Sequence, residues 1–330
     1  MMKRLKIITV ITLLAIMPVA SGQQFPLYSQ YVMNGFLLNP SYAGSDYYST
    51  FGLTVREQWM NLPHAPATYA ASFQTRILND SYITKSTAVR KKIDRPTRGG
   101  RVGVGGYLFS DHNGIMHRTG LQLAYAYHLP IADEQQLSFG LSLSAYQYFV
   151  DINGAVMPGD VNDEFLNNYD QVVYIPDANF GISYMTRRYY AGFSMTNLFR
   201  GALMIGNGGT NGHSELGHFF LTGGMRFYTG GDWIIEPSLM LKSSDMVFKS
   251  IQADITGRVY YKDDYWLGLS YRSGDAVILL AGLKVDRFYL GYAFDFTLSE
   301  IRSYTYGTHE LTVLARFGDN PRRYRWINKY

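Results

Sequence analysis

The sequence predicts an all-β protein, a transmembrane antiparallel barrel of about 14 strands (roughly 12 to 16) in a bacterial outer membrane. Three observations support this fold class. The chain opens with a secretion signal, no later apolar run approaches the roughly 18 residues of a membrane helix, and apolar residues recur at every second position over long segments. Aromatic residues make up 15% of the chain and charged residues 17%, whereas a soluble domain is roughly 25% charged.

Composition excludes several functional classes. The 330 residues include no cysteine, which excludes disulfides, thiolate metal sites, cysteine nucleophiles and the lipidated cysteine of a lipoprotein. The formal net charge of +4 includes Lys3, Arg4 and Lys6, so the chain without them carries 4 − 3 = +1. This balance gives no support to a nucleic-acid partner.

Residues 1–22 are expected to form a secretory signal peptide that is cleaved before Gln23. Basic residues at 3–6 precede an apolar run at 7–19, and Ala20-Ser21-Gly22 offers a small-residue cleavage site. An N-terminal membrane anchor is the alternative. It is disfavoured by the small residues and by the apolar run, which is about 13 residues long and short for a bilayer span.

Fourteen segments are assigned as strands because apolar residues alternate along them with period two, as in 121–129. The clearest run for about 9 to 11 residues, the length of a tilted membrane-crossing strand and longer than a usual sandwich strand. We assign residues 47–317 to the barrel. Its strands are expected near 48–58, 67–76, 100–110, 120–129, 137–150, 177–186, 189–197, 218–228, 233–242, 248–261, 265–273, 276–285, 288–296 and 309–317.

An even strand count allows both ends of the chain to lie on the periplasmic side, where most connections are then short. The outer side receives longer connections, as in other bacterial barrels. These longer outer connections are expected at 111–119, 151–176, 198–217 and 297–308. On the periplasmic side two features depart from the pattern of short connections: the long connection 77–99 and a basic tail, 318–330.

Charged residues of both signs occupy the strand phase that should face the lumen. We expect ion pairs among them in preference to a substrate-selective filter. Barrels of about 8 strands fill their own interior and those of about 16 enclose a channel, so this lumen is either a narrow pore or plugged. The inward residues are Arg56, Gln58, Arg226, Glu236, Asp254, Arg258, Asp295, Glu310 and Arg316.

The sequence gives no basis for catalysis or cofactor binding. Gly103-Val104-Gly105-Gly106 suggests a phosphate loop but lies inside a strand, where strand bending or close approach of another backbone is the simpler interpretation. His213, Glu215 and His218 stand in a glycine-rich loop, which is a poor scaffold for metal ligands. We therefore predict a non-enzymatic protein with no catalytic, cofactor-binding or metal-binding residues.

The segment after the signal peptide carries a family signature. Residues 24–45 (QFPLYSQYVMNGFLLNPSYAGS), with 56–59, 65–68, 192–198 and the closing strand 307–317, resemble the PorP/SprF family of type IX secretion system membrane proteins of Bacteroidota. The resemblance covers essentially the whole chain after the signal peptide. It implies an outer-membrane protein that serves protein secretion and gliding motility without catalysing a reaction.

The resemblance also implies partners. They are the periplasmic ring lipoprotein of the secretion system with its partner protein, and a large secreted adhesin that is exported or attached at the surface, while the barrel itself contacts outer-membrane lipid. A diffusion porin or small-molecule transporter is the alternative function. The signature lies within 23–46, and three interpretations of this segment stay open: a lead-in packed on the barrel, a partner site, or a plug in the lumen.

Two basic stretches are expected to meet on the periplasmic side. Between 85 and 101 seven basic residues stand against Asp94 alone, and the tail is also basic. A solvated face or contact with lipid phosphates would explain such charge, and the functional hypothesis is a docking patch for an acidic face of the periplasmic ring. Its residues would be Arg90, Lys91, Lys92, Arg95, Arg98, Arg322, Arg323 and Arg325.

Overall fold

The computed structural model describes residues 28–77, 101–132, 134–151, 172–199, 202–203, 213–214, 217–244 and 251–318. Within them, fourteen antiparallel strands form a closed barrel, which confirms the predicted fold class and strand count. The predicted signal peptide 1–22, residues 85–100 of the predicted basic stretch and residues 319–330 of the predicted tail lie outside the described residues. No helix among the described residues is long and apolar enough to cross a membrane.

The strands are numbered here in chain order. They are β1 (Ser49–Glu57), β2 (Ala67–Ile77), β3 (Val102–Asn113), β4 (Met116–Ala132), β5 (Gln135–Val150), β6 (Val172–Thr186), β7 (Tyr189–Thr196), β8 (His218–Met225, continued by Phe227–Tyr228), β9 (Trp233–Ser243), β10 (Ile251–Tyr261), β11 (Tyr265–Arg272), β12 (Ala276–Val285), β13 (Phe288–Thr297) and β14 (Thr308–Phe317). A separate short hairpin pairs Ala202–Leu203 with His213–Ser214.

Each strand pairs with its neighbours in the chain, and β1 pairs with β14 to close the barrel. This seam runs from Ser49 opposite Phe317 to Glu57 opposite His309. The chain enters β1 and leaves β14 at the same end of the barrel, which we name the terminal end. The opposite end is named the loop end.

Two predicted connections are shorter in the structure: β6 already begins at Val172, inside the predicted loop 151–176, and the loop predicted at 111–119 is reduced to a turn. Residues 111–119 were expected to form a long loop, but β3 and β4 continue to Asn113 and Met116 and leave only the turn at Gly114-Ile115. Gly114 has a φ of 64°, a backbone conformation that favours glycine. The prediction is wrong because the outward positions of these strands become polar toward the loop end, so the apolar alternation stops before the strands do.

The outward phase of the strands is apolar and exposed, as a lipid-facing wall requires. The apolar phase of the alternation predicts that Leu121, Tyr125, Ile255 and Leu290 face lipid, and each of these side chains is exposed. Leu123 and Val259 behave in the same way, whereas Val313 is half-buried.

We expect Ile255→Arg to destabilise the barrel by about 2–4 kcal/mol, because it places a cation on the lipid face near the middle of β10. Urea unfolding in lipid vesicles would measure the loss. Ile255→Met is the matched control and should cost little, since it keeps an apolar side chain at the same position. Equal stability of the two variants would contradict the assigned phase.

Candidate functional site in the barrel lumen

Residues 28–48, named here the lumen segment, lie inside the barrel. Their hydrogen bonds reach strands spaced around the whole wall, and only a segment within the lumen can make such contacts. The bonds include Gln30 N to Glu310 Oε1 at 2.9 Å, Tyr31 Oη to Ser238 Oγ at 3.2 Å, Asn34 Nδ2 to Ser72 Oγ at 3.2 Å and Ser41 Oγ to Ser183 Oγ at 2.8 Å.

A turn at Asn39-Pro40 fixes the middle of the lumen segment. Asn39 Oδ1 accepts hydrogen bonds from the backbone N–H of Ser41 at 2.9 Å and from its hydroxyl at 2.7 Å, so it caps the short 3₁₀ helix Pro40–Tyr42. Asn39 Nδ2 donates to the carbonyl of Phe193 at 3.1 Å and lies 3.3 Å from that of Ile182. One side chain therefore joins the turn to both β6 and β7.

Glycines on the inner face of the strands make room for the lumen segment. A Cβ atom added at Gly105 would lie 2.7 Å from Phe36 Cζ, and one at Gly192 would lie 2.6 Å from Tyr42 Oη. A Cβ at Gly103 would overlap the carbonyl of Ala43, which confirms the expected close backbone approach. The glycines that face the segment in this way are Gly52, Gly103, Gly105, Gly140, Gly181, Gly192 and Gly291.

A buried ionic network fastens the start of the lumen segment to the closing seam. Arg56 on β1 lies directly opposite Glu310 on β14, and their side chains form an ion pair at 3.1 Å. Arg56 also pairs with Asp295 at 2.8 Å. Ser29 donates its backbone N–H to Glu310 at 2.6 Å and its hydroxyl to Asp295. Each buried charge thus meets an opposite charge, as burial requires.

A second network lies on the inner face of β8, β9 and β10. Glu236 accepts hydrogen bonds from Arg226 Nε and Arg258 Nη2, both at 2.7 Å, and from Tyr190 Oη at 3.1 Å. Both guanidinium groups also lie over the ring of Tyr260, at 5.0 and 5.7 Å from its centroid. Glu236 therefore pairs with two buried cations, and Arg226 also pairs with the half-exposed Asp263 at 3.9 Å.

Contacts at the terminal end fasten the other end of the lumen segment. Asp46 pairs with Arg316 at 3.6 Å, and the Arg76 guanidinium lies 3.7 Å from the centre of the Tyr47 ring. The charged residues that were predicted to face the lumen are all buried. Gln58, the one uncharged residue of that predicted set, follows the end of β1 and is half-buried.

The lumen is filled where the structure describes it. Glu236 and Glu310 are 0% exposed and Arg272 is 1% exposed, although all three face the hollow of a fourteen-stranded barrel. An open aqueous channel would leave such side chains accessible to water. A cavity of about 80 Å³ remains between the lumen segment and β6–β8, with Met185 and Tyr190 in its lining.

The structure does not test the predicted docking patch. Arg90, Lys91, Lys92, Arg95, Arg98, Arg322, Arg323 and Arg325 all lie outside the described residues. The conceivable metal set is not assembled in the described residues either, because Glu215 lies outside them. His218 faces the lumen, where its Nδ1 lies 3.2 Å from Ser244 Oγ.

Comparison with solved structures finds other outer-membrane barrels. Omp33 of Acinetobacter baumannii is 8% identical, with 82% of this chain and all of that chain covered, at a TM-score of 0.42. The toluene transporter TbuX of Ralstonia pickettii is 10% identical over 90% and 96% of the chains, at 0.44. The KdgM porin is 10% identical over 82% and 99%, at 0.37. Likeness at this level carries no argument about function.

A search of curated proteins found no match to this chain. Residues 20–314 match the family described as "Type IX secretion system membrane protein PorP/SprF". The match covers both the lumen segment and thirteen complete strands, with most of the fourteenth. This outer-membrane β-barrel therefore belongs to the PorP/SprF family of type IX secretion system membrane proteins.

Proposed function

We propose that this protein is a non-enzymatic component of the type IX secretion and gliding machinery that works by contact with other proteins. In this proposal its terminal end faces the periplasm and meets the ring lipoprotein and its partner, and the barrel aids the export or surface attachment of a secreted adhesin. The filled lumen is the observation that carries the proposal, because it favours a contact role over passage of small solutes.

Side-chain contacts attach the lumen segment to the barrel wall at both ends, which argues against a diffusion porin. Ser29 bonds the seam network toward the loop end, and Asp46 pairs with Arg316 at the terminal end. In the second network the carboxylate of Glu236 is saturated by Arg226 and Arg258. Such a carboxylate is not free to bind a solute or to accept a proton from a substrate.

Planar-bilayer recording on the purified full-length chain would separate the two functions. A component that acts by protein contact should give no stable conductance. A steady open pore from the intact protein would favour the porin alternative.

The basic stretch 90–98 and the tail are proposed as the contact surface for an acidic partner. Reversing Arg90, Lys91 and Lys92 to Glu should leave the barrel folded and weaken co-purification with ring components, most strongly at low salt. Charge complementarity speeds encounter and selects the partner, and salt screens it. Co-purification from cells across a salt series would measure the effect.

The matched control reverses three exposed arginines in turns of the same end, Arg187, Arg188 and Arg287. This variant has the same change in net charge and should retain the partner. Unchanged co-purification of the first variant at low salt would contradict the docking role. Labelling of residue 91 on intact cells would contradict the periplasmic placement.

A further inference from the structure

Two histidines face each other across the hairpin at the loop end. His112 on β3 and His117 on β4 are direct partners in the strand register, close to the turn at Gly114-Ile115. Their Nδ1 atoms are 2.6 Å apart, and their rings meet edge to face with centroids 4.5 Å apart. Two histidine nitrogens are therefore held within hydrogen-bond distance of each other on adjacent strands.

Neighbouring side chains support both rings. His112 Nε2 lies 3.2 Å from Ser110 Oγ, and the Tyr69 ring packs against its edge with a centroid distance of 6.5 Å. The His117 ring lies 5.7 Å from that of Phe149. A hydrogen bond to the second ring nitrogen is the usual way in which a protein orients a metal-binding histidine.

The pair belongs to the outward phase and lies beyond the lipid-facing belt. On β4 this belt extends from Leu121 to Ile131, about 25 Å for tilted strands, which matches the apolar height of outer-membrane barrels. His117 is four residues past Leu121, which adds about 10 Å. Ser110 and Thr119 are the outward residues in between. Water and dissolved ions therefore reach the pair.

We infer that His112 and His117 form a binding site for a divalent transition metal ion, with Cu²⁺ preferred. Neighbouring nitrogens in a square plane with bonds of about 2.0 Å are about 2.8 Å apart, and tetrahedral ligands are about 3.3 Å apart. The observed distance of 2.6 Å between the two Nδ1 atoms is closer to the square-planar value, so the rings would have to separate less to bind Cu²⁺ than to bind a tetrahedral ion. Cu²⁺ also has the highest affinity in the order of first-row divalent metals. This inference does not depend on the proposed function.

Solvent supplies the remaining ligands. The described residues contain no group of three His, Cys, Asp or Glu side chains placed to hold a metal ion. The absence of cysteine from the chain also removes thiolates as competing soft ligands. The site is therefore an open two-nitrogen site with exchangeable water positions.

Titration of the purified full-length chain with Cu²⁺, followed by electron paramagnetic resonance, tests the inference. One equivalent should bind with the signature of two nitrogen ligands. His112→Ala and His117→Ala should each weaken binding by more than about tenfold, because losing even a supporting contact outside the ligands costs about that much. His309→Ala is the control, since His309 Nδ1 bonds Tyr292 Oη at 2.6 Å elsewhere at this end.

Gel mobility before and after heating would verify that every variant is folded. Retention of the two-nitrogen signal in the double variant His112→Ala, His117→Ala would overturn the inference. So would the absence of a two-nitrogen signal from the folded parent chain, which would leave the contact as a hydrogen bond between the two rings.

Discussion

Gly181→Val should displace the lumen segment and cause the barrel to conduct ions. A Cβ at residue 181 would overlap Asn39 Oδ1, the atom that caps Pro40–Tyr42. Valine therefore has to push the Asn39-Pro40 turn away from β6 and β7, with loss of its hydrogen bonds. Overpacking costs about 1–3 kcal/mol and each lost bond about 1 kcal/mol, so we expect a loss of about 3 kcal/mol or more. Planar-bilayer recording and urea unfolding in vesicles would measure both effects.

Gly257→Val is the matched control. Gly257 lies in the middle of β10 on the outward face, and a Cβ there would meet nothing within 4 Å. The same substitution at this position should leave the channel closed and the stability nearly unchanged. If the two valine variants had equal stability and neither conducted ions, the packing of the lumen segment against Gly181 would be contradicted.

Glu236→Gln should be among the most destabilising single substitutions in the barrel wall. The carboxylate between Arg226 and Arg258 is replaced by a neutral amide, so the buried Arg258 loses its ion pair and Arg226 keeps only the longer one to Asp263. Removing one partner of a buried ion pair costs about 3–5 kcal/mol, because the remaining charge is left uncompensated. The free energy of unfolding in lipid vesicles, from urea titration, is the measurement.

Asp232→Asn provides the control for the loss of one negative charge. Asp232 pairs with Lys262 at 3.8 Å in the turns of the terminal end, and both side chains are more than half exposed. An exposed pair contributes about 0–1 kcal/mol, so this variant should unfold almost as the parent does. A cost below about 1 kcal/mol for Glu236→Gln as well would contradict the buried network.

The sequence predicts the barrel wall well, because lipid imposes a strict rule on it. Every second side chain must be apolar across the membrane, and each of the fourteen expected strands overlaps an observed one. The rule stops at the membrane surface. Beyond Leu121 the outward residues of β4 are Thr119 and His117, so the end of that strand could not be read from apolar alternation.

The position of the lumen segment could not be chosen from the sequence alone. Tyr31, Phe36 and Leu38 give it an apolar character that suits a lead-in, a partner site or a plug equally well. The choice depends on side chains that are distant in the chain, such as Glu310 for Ser29. The signal that was missed is the phase of the strand glycines, because glycines on the inner face of strands indicate that something fills the lumen.

The docking of Ser29 on the seam links interior packing to the order of folding. Arg56 and Glu310 face each other only after the first and last strands have met, and Ser29 bonds both side chains. Docking of the lumen segment and pairing of β1 with β14 therefore stabilise each other. The first described residues of the chain therefore dock only together with its last strand, so packing of the interior is coupled to closure of the barrel.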